Sequence, residues 1–586
     1  DVYKRQIVGY KGNQNSIPVL LNGLKSLEYR GYDSAGLAYI NGGKIIIKKA
    51  IGRVKNLENL ITNEDFGNIG IAHTRWATHG GVTDKNAHPH KQGKITLVHN
   101  GIIENYKELS EKVNAKLLSE TDTEILCAYI NKLYNENHDM LKTLSKLKTD
   151  IKGSYALAII NEDEPDTLYG VRKNVPLILA KNDNEYFLVS DMTAALRYTN
   201  KFYLLENDEI VKISDKEYIY DSDLNLLKKE LLTFEGTSND VMLKGYPHFM
   251  LKEIHEEPMV INNILSYYLT DGKFNENMPE FKKYKNIYFV GCGSASYTAD
   301  IAKKVFENYA NIKCEVFLAS EFRYQKHFYD KDTLVVFISQ SGETADTLEA
   351  LRITKSDGID TLAIVNVVGS SIAREAGKVL YIKAGTEIAV ATTKAFTAQY
   401  LLLTLIALKM AGINDLSKFY KINEALETVF AIDFQKYAEK IYTKKDAFFI
   451  GRGIDYGLCE EGSLKLKEIS YINSSAFASG ELKHGTISLI EKDTPVMGII
   501  TDENLALKTI SNIKEVHARG AYSLFITSLD IDGDFYDDKI KVPHINNYID
   551  PILIVASLQL LAYNVALLKG EDIDKPRNLA KSVTVE

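Results

Sequence analysis

Apolar positions change their rhythm partway along the chain. Up to about residue 235, short apolar runs such as IGIAHTRW, KITLVHNG, YALAII and EYFLVS are separated by polar turns, with helical spacing over 123–135. That pattern predicts an α+β domain of strands and a few helices. The stretch FEGTSNDVMLKGYPHF, 234–249, has little periodicity and several turn formers, and reads as a linker. From KEIHEEP onward the texture becomes apolar strand, glycine turn and amphipathic helix in alternation, which predicts parallel α/β units.

The second half repeats itself. NIYFVGCGSASYTADIAKKV from Asn286 and DAFFIGRGIDYGLCEEGSLKL from Asp446 align at an offset of 160 residues, each a strand, a Gly-x-Gly turn and a helix. A repeat of this length means two copies of a domain. The expected layout is a first domain over 7–235, a linker over 236–246, and two α/β domains over 247–425 and 426–586. Two apolar runs, LLLTLIAL at 401–408 and PILIVASLQLLAYNVALL at 551–568, are expected to be buried core helices. The second reaches the minimum length of a membrane span, but it opens on Pro551 and contains Ser557, Gln559 and Asn564.

Composition narrows the function classes. A chain of 586 residues requires several cores. A net charge of −8, with 45% hydrophobic and 25% charged residues, favours neither nucleic acid nor an anionic membrane as partner. The four cysteines, Cys127, Cys292, Cys314 and Cys459, are too dispersed for a disulfide scaffold and point to a reducing, cytoplasmic setting.

The clearest chemical element is TLVVFISQSGETADTLEALRI, 333–353. A buried strand runs into a helix through Ser339, Gln340, Ser341, Gly342, Glu343 and Thr344. A helix N-terminus presents unpaired N–H groups and a positive dipole end, so such a turn suits a phosphate. The absence of a lysine in the loop favours a sugar phosphate over a nucleoside triphosphate. GCGSAS, 291–296, lacks the third glycine and the distal acid of a dinucleotide site. His73, His79, His88, His90 and His99 fall within 27 residues and raise a metal hydrolase as an alternative, but their spacing matches no standard zinc pattern.

The blocks EYRGYDSAG (28–36), HTRWATHG (73–80), VHNGIIEN (98–105) and SETDTE (119–124) resemble those of the N-terminal-nucleophile glutamine amidotransferases. Together with SQSGETADT, GTEIAVATTKAFT (385–397), EGSLKLKEISY (461–471), GELKHG (480–485) and NLAKSVTVE (578–586), they make the chain from Ile7 to Glu586 resemble the glutamine–fructose-6-phosphate aminotransferase (isomerising) family. The resemblance implies an αββα glutaminase domain followed by two sugar isomerase (SIS) domains, no cofactor and no metal. It implies conversion of fructose 6-phosphate and glutamine to glucosamine 6-phosphate and glutamate by a homodimer.

Site residues carry over by position. In the glutaminase domain, Arg75 would hold the substrate carboxylate and Asp122 its ammonium. Thr78 and His79 would line the pocket, Trp76 would gate the ammonia passage, and the Asn100 side chain with the Gly101 N–H would form the oxyanion hole. In the sugar half, Ser339, Gln340, Ser341 and Thr344 would hold the phosphate. Cys292, Gly293 and Ser294 would approach the sugar, and Val390, Thr392 and Ala580 would close over it. Lys581 would form a Schiff base with the C2 carbonyl, Glu468 would move the proton between C1 and C2, and His484, from the neighbouring subunit, would open the ring. Two positions depart from the family's pattern: Ser294-Ala295 stands where Thr-Ser is usual, and Thr392 where Ser is usual.

The family's nucleophile is a cysteine in a Cys-Gly pair directly before IVGY, and Arg5 stands in its place. The hexapeptide over 1–6, DVYKRQ, back-translates to a transposon-end sequencing adapter and is expected to be an artefact. A natural extension on a degenerate glutaminase is the alternative. With Arg5 in that position the glutaminase step is expected to be inactive, leaving an ammonia-dependent isomerase or, alternatively, a non-catalytic sugar-phosphate-binding regulator.

Overall fold

A computed structural model describes residues 6–28, 33–75, 81–113, 115–233 and 243–582. The chain forms two compact units that divide between residues 242 and 243. Trp76, Thr78, His79 and Arg5 lie outside the described residues.

The first unit contains an eight-stranded and a six-stranded antiparallel sheet. Strand β1 (Gln6–Lys11) pairs antiparallel with β2 (Ile69–Arg75), Ile7 opposite His73. Both faces of β1 are buried, so it reads as a continuous apolar run. Ile7 and Ile71 point toward Val98, Ala156 and Ala158 of the other sheet. Val8, on the opposite face, meets helix α1 (Ser16–Leu27) at Gly23, where a Cβ would lie 2.8 Å from Val8 Cγ1. In the six-stranded sheet, β3 (Ile95–Ile103) pairs with β4 (Gly153–Asn161), which follows helix α2 (Asp122–Asn137). Leu97 and Leu157 of that sheet pack on Leu126 and Ile130 of α2. The layers therefore run helix, sheet, sheet, helix, the αββα order expected.

Thr121 caps the N-terminus of α2. Thr121 Oγ1 accepts from the N–H of Glu124 at 3.3 Å. The Glu124 carboxylate accepts from the N–H of Leu118 and Ser119. The SETDTE block thereby fixes Asp122 at the first helical position.

The second unit opens with α3 (Phe249–His255) and α4 (Glu257–Tyr268) and then builds the two α/β copies. The first has β5 (Asn286–Gly291), α5 (Ser294–Val305), β6 (Lys313–Leu318), β7 (Thr333–Ser339), α6 (Ala345–Ser356), β8 (Asp360–Val365) and β9 (Lys378–Tyr381). Helix α7 (Lys394–Met410) follows. The second copy has β10 (Asp446–Gly451), α8 (Ile454–Ser470), β11 (Asn473–Ala478), β12 (Pro495–Ile500), α9 (Glu503–His517), β13 (Tyr522–Thr527) and β14 (Asp538–Lys541), and ends in α10 (Asp550–Lys569). Both sheets are wholly parallel with the same order, β6-β5-β7-β8-β9 and β11-β10-β12-β13-β14. In each, the strand order reverses between the first and third strands, the crevice in which doubly wound sheets bind ligands.

Both long apolar runs are core helices. Helix α10 is long and apolar enough to cross a membrane by composition, yet Ile552 to Leu561 are almost wholly enclosed within this unit. Leu401 to Leu408 of α7 are buried in the same core.

The two copies differ at the turn after their third strand. Register through β5–β7 and β10–β12 equates Gln340 with Thr501. In the second copy Asp455 fills this turn from inside the chain. Its carboxylate accepts from the Thr501 N–H at 3.0 Å and the Thr501 hydroxyl at 2.6 Å. The residue equivalent to Asp455 in the first copy is Ala295, which has no such group to offer.

Candidate active site

In the first unit, Asn100 and Gly101 lie in the second half of β3, and Asp122 lies close by at the start of α2. The Ile103 N–H donates to Asp122 Oδ2 at 3.0 Å. Gly101 has φ +138°, and a Cβ there would lie 2.0 Å from the Ser154 carbonyl oxygen, so only glycine fits. Arg75, 1% exposed, donates to the Gly81 carbonyl at 3.3 Å.

His73 makes contacts at Asn100 that the motif reading did not anticipate. Its Nε2 lies 3.1 Å from the His99 carbonyl oxygen and 3.1 Å from Asn100 Oδ1. A carbonyl can only accept, so Nε2 bears the proton and the amide oxygen of Asn100 shares it. The NH₂ end of Asn100 therefore points away from His73. Thr123 Oγ1 sits 3.0 Å from His88 Nε2 and 2.9 Å from His99 Nδ1, and Thr121 Oγ1 is 3.2 Å from His90 Nε2. The rings also pack on one another, His73 stacked on His88 at 4.1 Å between centroids and His88 edge-on to His90 at 4.9 Å. Among the described residues no cluster of His, Cys, Asp or Glu could hold a metal ion.

In the second unit the site gathers at the carboxyl ends of β5 and β7. Ser339 Oγ accepts from the Gly342 N–H at 3.0 Å and lies 2.9 Å from Thr344 Oγ1. The Glu343 N–H donates to Ser341 Oγ at 3.2 Å. Thr344 is the N-cap of α6 yet makes no side-chain capping bond, so the first-turn N–H groups stay open to an anion. Gly342 has φ +65°, and a Cβ there would fall 2.0 Å from Ser370 Oγ.

Beside this turn, Cys292-Gly293-Ser294 leads from β5 into α5, with Gly293 at φ +55°. Ser294 Oγ donates to Glu461 Oε1 at 3.2 Å and accepts from Lys465 Nζ at 3.2 Å. Lys465 also pairs with Glu461 at 3.4 Å and Glu468 at 2.7 Å. Glu461, Lys465 and Glu468 recur at helical spacing along one face of α8, a signal present in EGSLKLKEISY although only Glu468 was singled out.

The strap over 384–393 and the C-terminal tail complete the site. The Val390 N–H donates to the Asp574 carbonyl at 3.1 Å. Asp574 in turn accepts from the N–H groups of Phe249 and Met250 at the start of α3. Arg577 stacks over the Tyr471 ring at 4.0 Å, and its N–H donates to the Tyr471 hydroxyl. So anchored, the tail brings Lys581 Nζ onto Glu387 and within 3.4 Å of Thr392 Oγ1. Ala580, next to Lys581, is half-buried. His484 is exposed on the turn after Glu481–Lys483, and no hydrogen bond or ion pair joins its side chain to Glu468 or Lys581 within the chain.

Burial dominates the electrostatics here. It pushes the carboxyls of Asp455, Glu460 and Glu461 up to about 7 and that of Glu257 up to about 8. Glu253 also rises, through burial and the nearby charge of Glu387. These groups hold protons in the folded unit, above the usual carboxylate range, that the unfolded chain has released. Folding therefore loses free energy as pH climbs through the interval from the ordinary values to about 8. Glu256 and Glu387 are shifted the other way, so their contribution is already complete at the lower end of that interval. We expect the melting temperature of the second unit to fall between about pH 5.5 and about pH 8, and Asp455→Asn to flatten the slope. Calorimetry across that range checks this, and a rising melting temperature would contradict it.

The comparisons with known proteins follow this division. The glutamine amidotransferase domain family matches residues 73–197, and the SIS domain family matches 280–409 and 440–569. A protein of Clostridium tetani named glutamine–fructose-6-phosphate aminotransferase [isomerizing] is 45% identical, over 99% of this chain and 100% of its own length. The chain belongs to that family. A Staphylococcus aureus protein of the same name is 40% identical over 99% of this chain and its own full length. The solved C-terminal domain of the glucosamine-fructose-6-phosphate aminotransferase of Francisella tularensis is 37% identical with a TM-score of 0.54, covering 57% of this chain and 99% of that one. Membership in the aminotransferase family bears out the expected order of one amidotransferase domain followed by two SIS domains.

Proposed function

We propose that this aminotransferase moves the amide nitrogen of glutamine onto fructose 6-phosphate and isomerises the product to glucosamine 6-phosphate, releasing glutamate. The observation that carries the reading is the buried Lys581, held by the tail against Glu387 and Thr392. A lysine enclosed in this way, in the unit that also carries a turn suited to phosphate, fits imine chemistry on a phosphorylated ketose.

In this reading Ser339, Gln340, Ser341 and Thr344 hold the phosphate, and Cys292, Gly293 and Ser294 with Val390, Thr392 and Ala580 enclose the sugar. Lys581 condenses with C2, and Glu468, held by Lys465, carries the proton from C1 to C2. His484, projecting from its turn, serves the site of a second copy, which makes the working unit a homodimer. In the glutaminase unit Arg75 and Asp122 grip the two charged ends of glutamine, with Trp76, Thr78 and His79 around it. Asn100 and Gly101 stabilise the oxyanion, a donor pair worth about 10²–10³ in rate per donor. The enzyme works in the cytoplasm without cofactor or metal.

The test is formation of glucosamine 6-phosphate from fructose 6-phosphate, run once with glutamine and once with ammonium. Product with ammonium alone supports the sugar half and assigns the missing step to the nucleophile, which Met-Cys-Gly placed before Ile7 then restores. Product with glutamine requires a nucleophile other than the family's cysteine. No product from either nitrogen source overturns the reading in favour of a sugar-phosphate-binding regulator.

A further inference from the structure

Glu387 has no part in the roles above, yet it is the residue that Lys581 touches. Both side chains are enclosed, Lys581 at 2% exposure and Glu387 at 0%. Glu387 is also fixed from the other side: its Oε1 accepts from the N–H of Thr393 at 2.9 Å and of Ala395 at 3.1 Å, at the start of α7. Two backbone donors and a helix N-terminus hold this carboxylate in place and ionised, against the cost of burial. Its second oxygen, Oε2, is the one that meets Lys581 Nζ.

Consider the charge on that nitrogen during condensation. The step is R–NH₃⁺ + O=C → R–NH⁺=C + H₂O. One C–N double bond forms and the C=O bond breaks. Two ammonium hydrogens leave with the carbonyl oxygen as water, and the positive charge stays on the nitrogen. A carboxylate placed against the ammonium therefore also faces a cation once the imine has formed. Because it is already held by α7, it need not reorganise as the reaction proceeds.

Resting on the reading of Lys581 as the imine-forming lysine, we propose that Glu387 is the fixed counter-ion of the protonated imine. It keeps the C2 carbon electrophilic toward ammonia by holding the imine nitrogen charged. The other charged groups that face it are Glu253 on α3, Glu257 on α4 and Lys465 on α8, with Lys394, the first residue of α7, acting on Glu253. Lys394 is engaged by Glu256 at 2.8 Å, and Lys465 by Glu461 and Glu468. Glu253 carries its own load, accepting from the strap N–H groups of Ile388 and Ala389. Glu387 is thus the carboxylate left to serve Lys581.

The test uses the full chain, fructose 6-phosphate and cyanoborohydride, which reduces the protonated imine, with the modified Lys581 peptide read by mass spectrometry across a pH series. Glu387→Gln keeps an acceptor for Thr393 and Ala395 and removes the charge. We expect binding of glucose 6-phosphate to stay within about threefold. Capture on Lys581 should fall at least about tenfold near neutrality, and the pH limit of capture should move to lower values, because the uncompensated imine loses its proton sooner. Glu387→Asp draws the carboxylate back by one methylene and should move the limit in the same direction by less. An unmoved pH profile in either folded variant overturns the counter-ion proposal while leaving Lys581 in its role. If the unaltered chain binds sugar phosphate but captures nothing on Lys581, the reading of Lys581 itself fails and the counter-ion fails with it.

Discussion

Replacing Lys581 by methionine is expected to lower ammonium-dependent glucosamine 6-phosphate formation by about 10⁴-fold or more, the scale seen when a covalent nucleophile is removed. The phosphate turn shares no hydrogen bond with Lys581, so sugar-phosphate affinity should change little. The same substitution leaves Glu387 buried at the start of α7 without its partner. Breaking a buried pair from one side costs about 3–5 kcal/mol, because the remaining charge is unpaired. That cost should shrink as pH falls and Glu387 takes up a proton, so the variant and the parent converge in melting temperature under acid. Retained activity in the variant would remove Lys581 from the chemistry. Equal stability at neutral pH would show that the pair is not maintained in solution.

A stability effect of comparable size should come from Lys465→Met. Lys465 is 1% exposed and stands between Glu461, at 0%, and Glu468. Burial and the neighbouring Glu468 already push Glu461 upward, and Lys465 offsets that push. Without the lysine, two carboxylates face each other across one helix face. A loss of about 3–5 kcal/mol follows, lowering the melting temperature of the second unit by on the order of 10 °C. The double variant Lys465→Met/Glu461→Gln should recover much of the loss, since it removes the stranded charge as well. A melting temperature for Lys465→Met within about 2 °C of the parent would mean that Glu461 is neutral whether or not the lysine is present.

These pairings mark the boundary of what the sequence discloses. The phosphate turn is legible because its parts are contiguous: strand, small residues, glycine and helix follow one another from Thr333 to Ser356, and the physics is local. The repeat is legible because two strands and their glycine turns recur at a constant spacing. Both long apolar runs read correctly as core helices, the first because it is too short for a span and the second because polar residues interrupt it. The counter-charges are different. Glu387 sits inside a motif already picked out, yet its partner lies 194 positions away in the tail. No periodicity connects two residues joined only by how the strap and tail fold together. His73 is hidden for a related reason. Its effect on the orientation of Asn100 depends on a carbonyl oxygen, and backbone atoms leave no mark in the sequence. Glu461 and Lys465 could have been found, since a helical wheel over EGSLKLKEISY sets them on the face that bears Glu468.

The carboxyl of Asp455 at the Thr501 turn gives the two halves of the duplicated unit unlike chemistry at equivalent positions. In one half, Ala295 leaves the turn with Ser339, Ser341 and Thr344 and no carboxyl from that position. In the other the carboxyl is part of the chain, and loss of Asp455 would leave the N–H and hydroxyl of Thr501 without that acceptor. The second half also reaches into the first through its long helix, from which Glu461 and Lys465 meet Ser294. Ile301 and Val305 stand at the equivalent positions of the first half, so the two copies are joined through side chains that the repeat itself does not share.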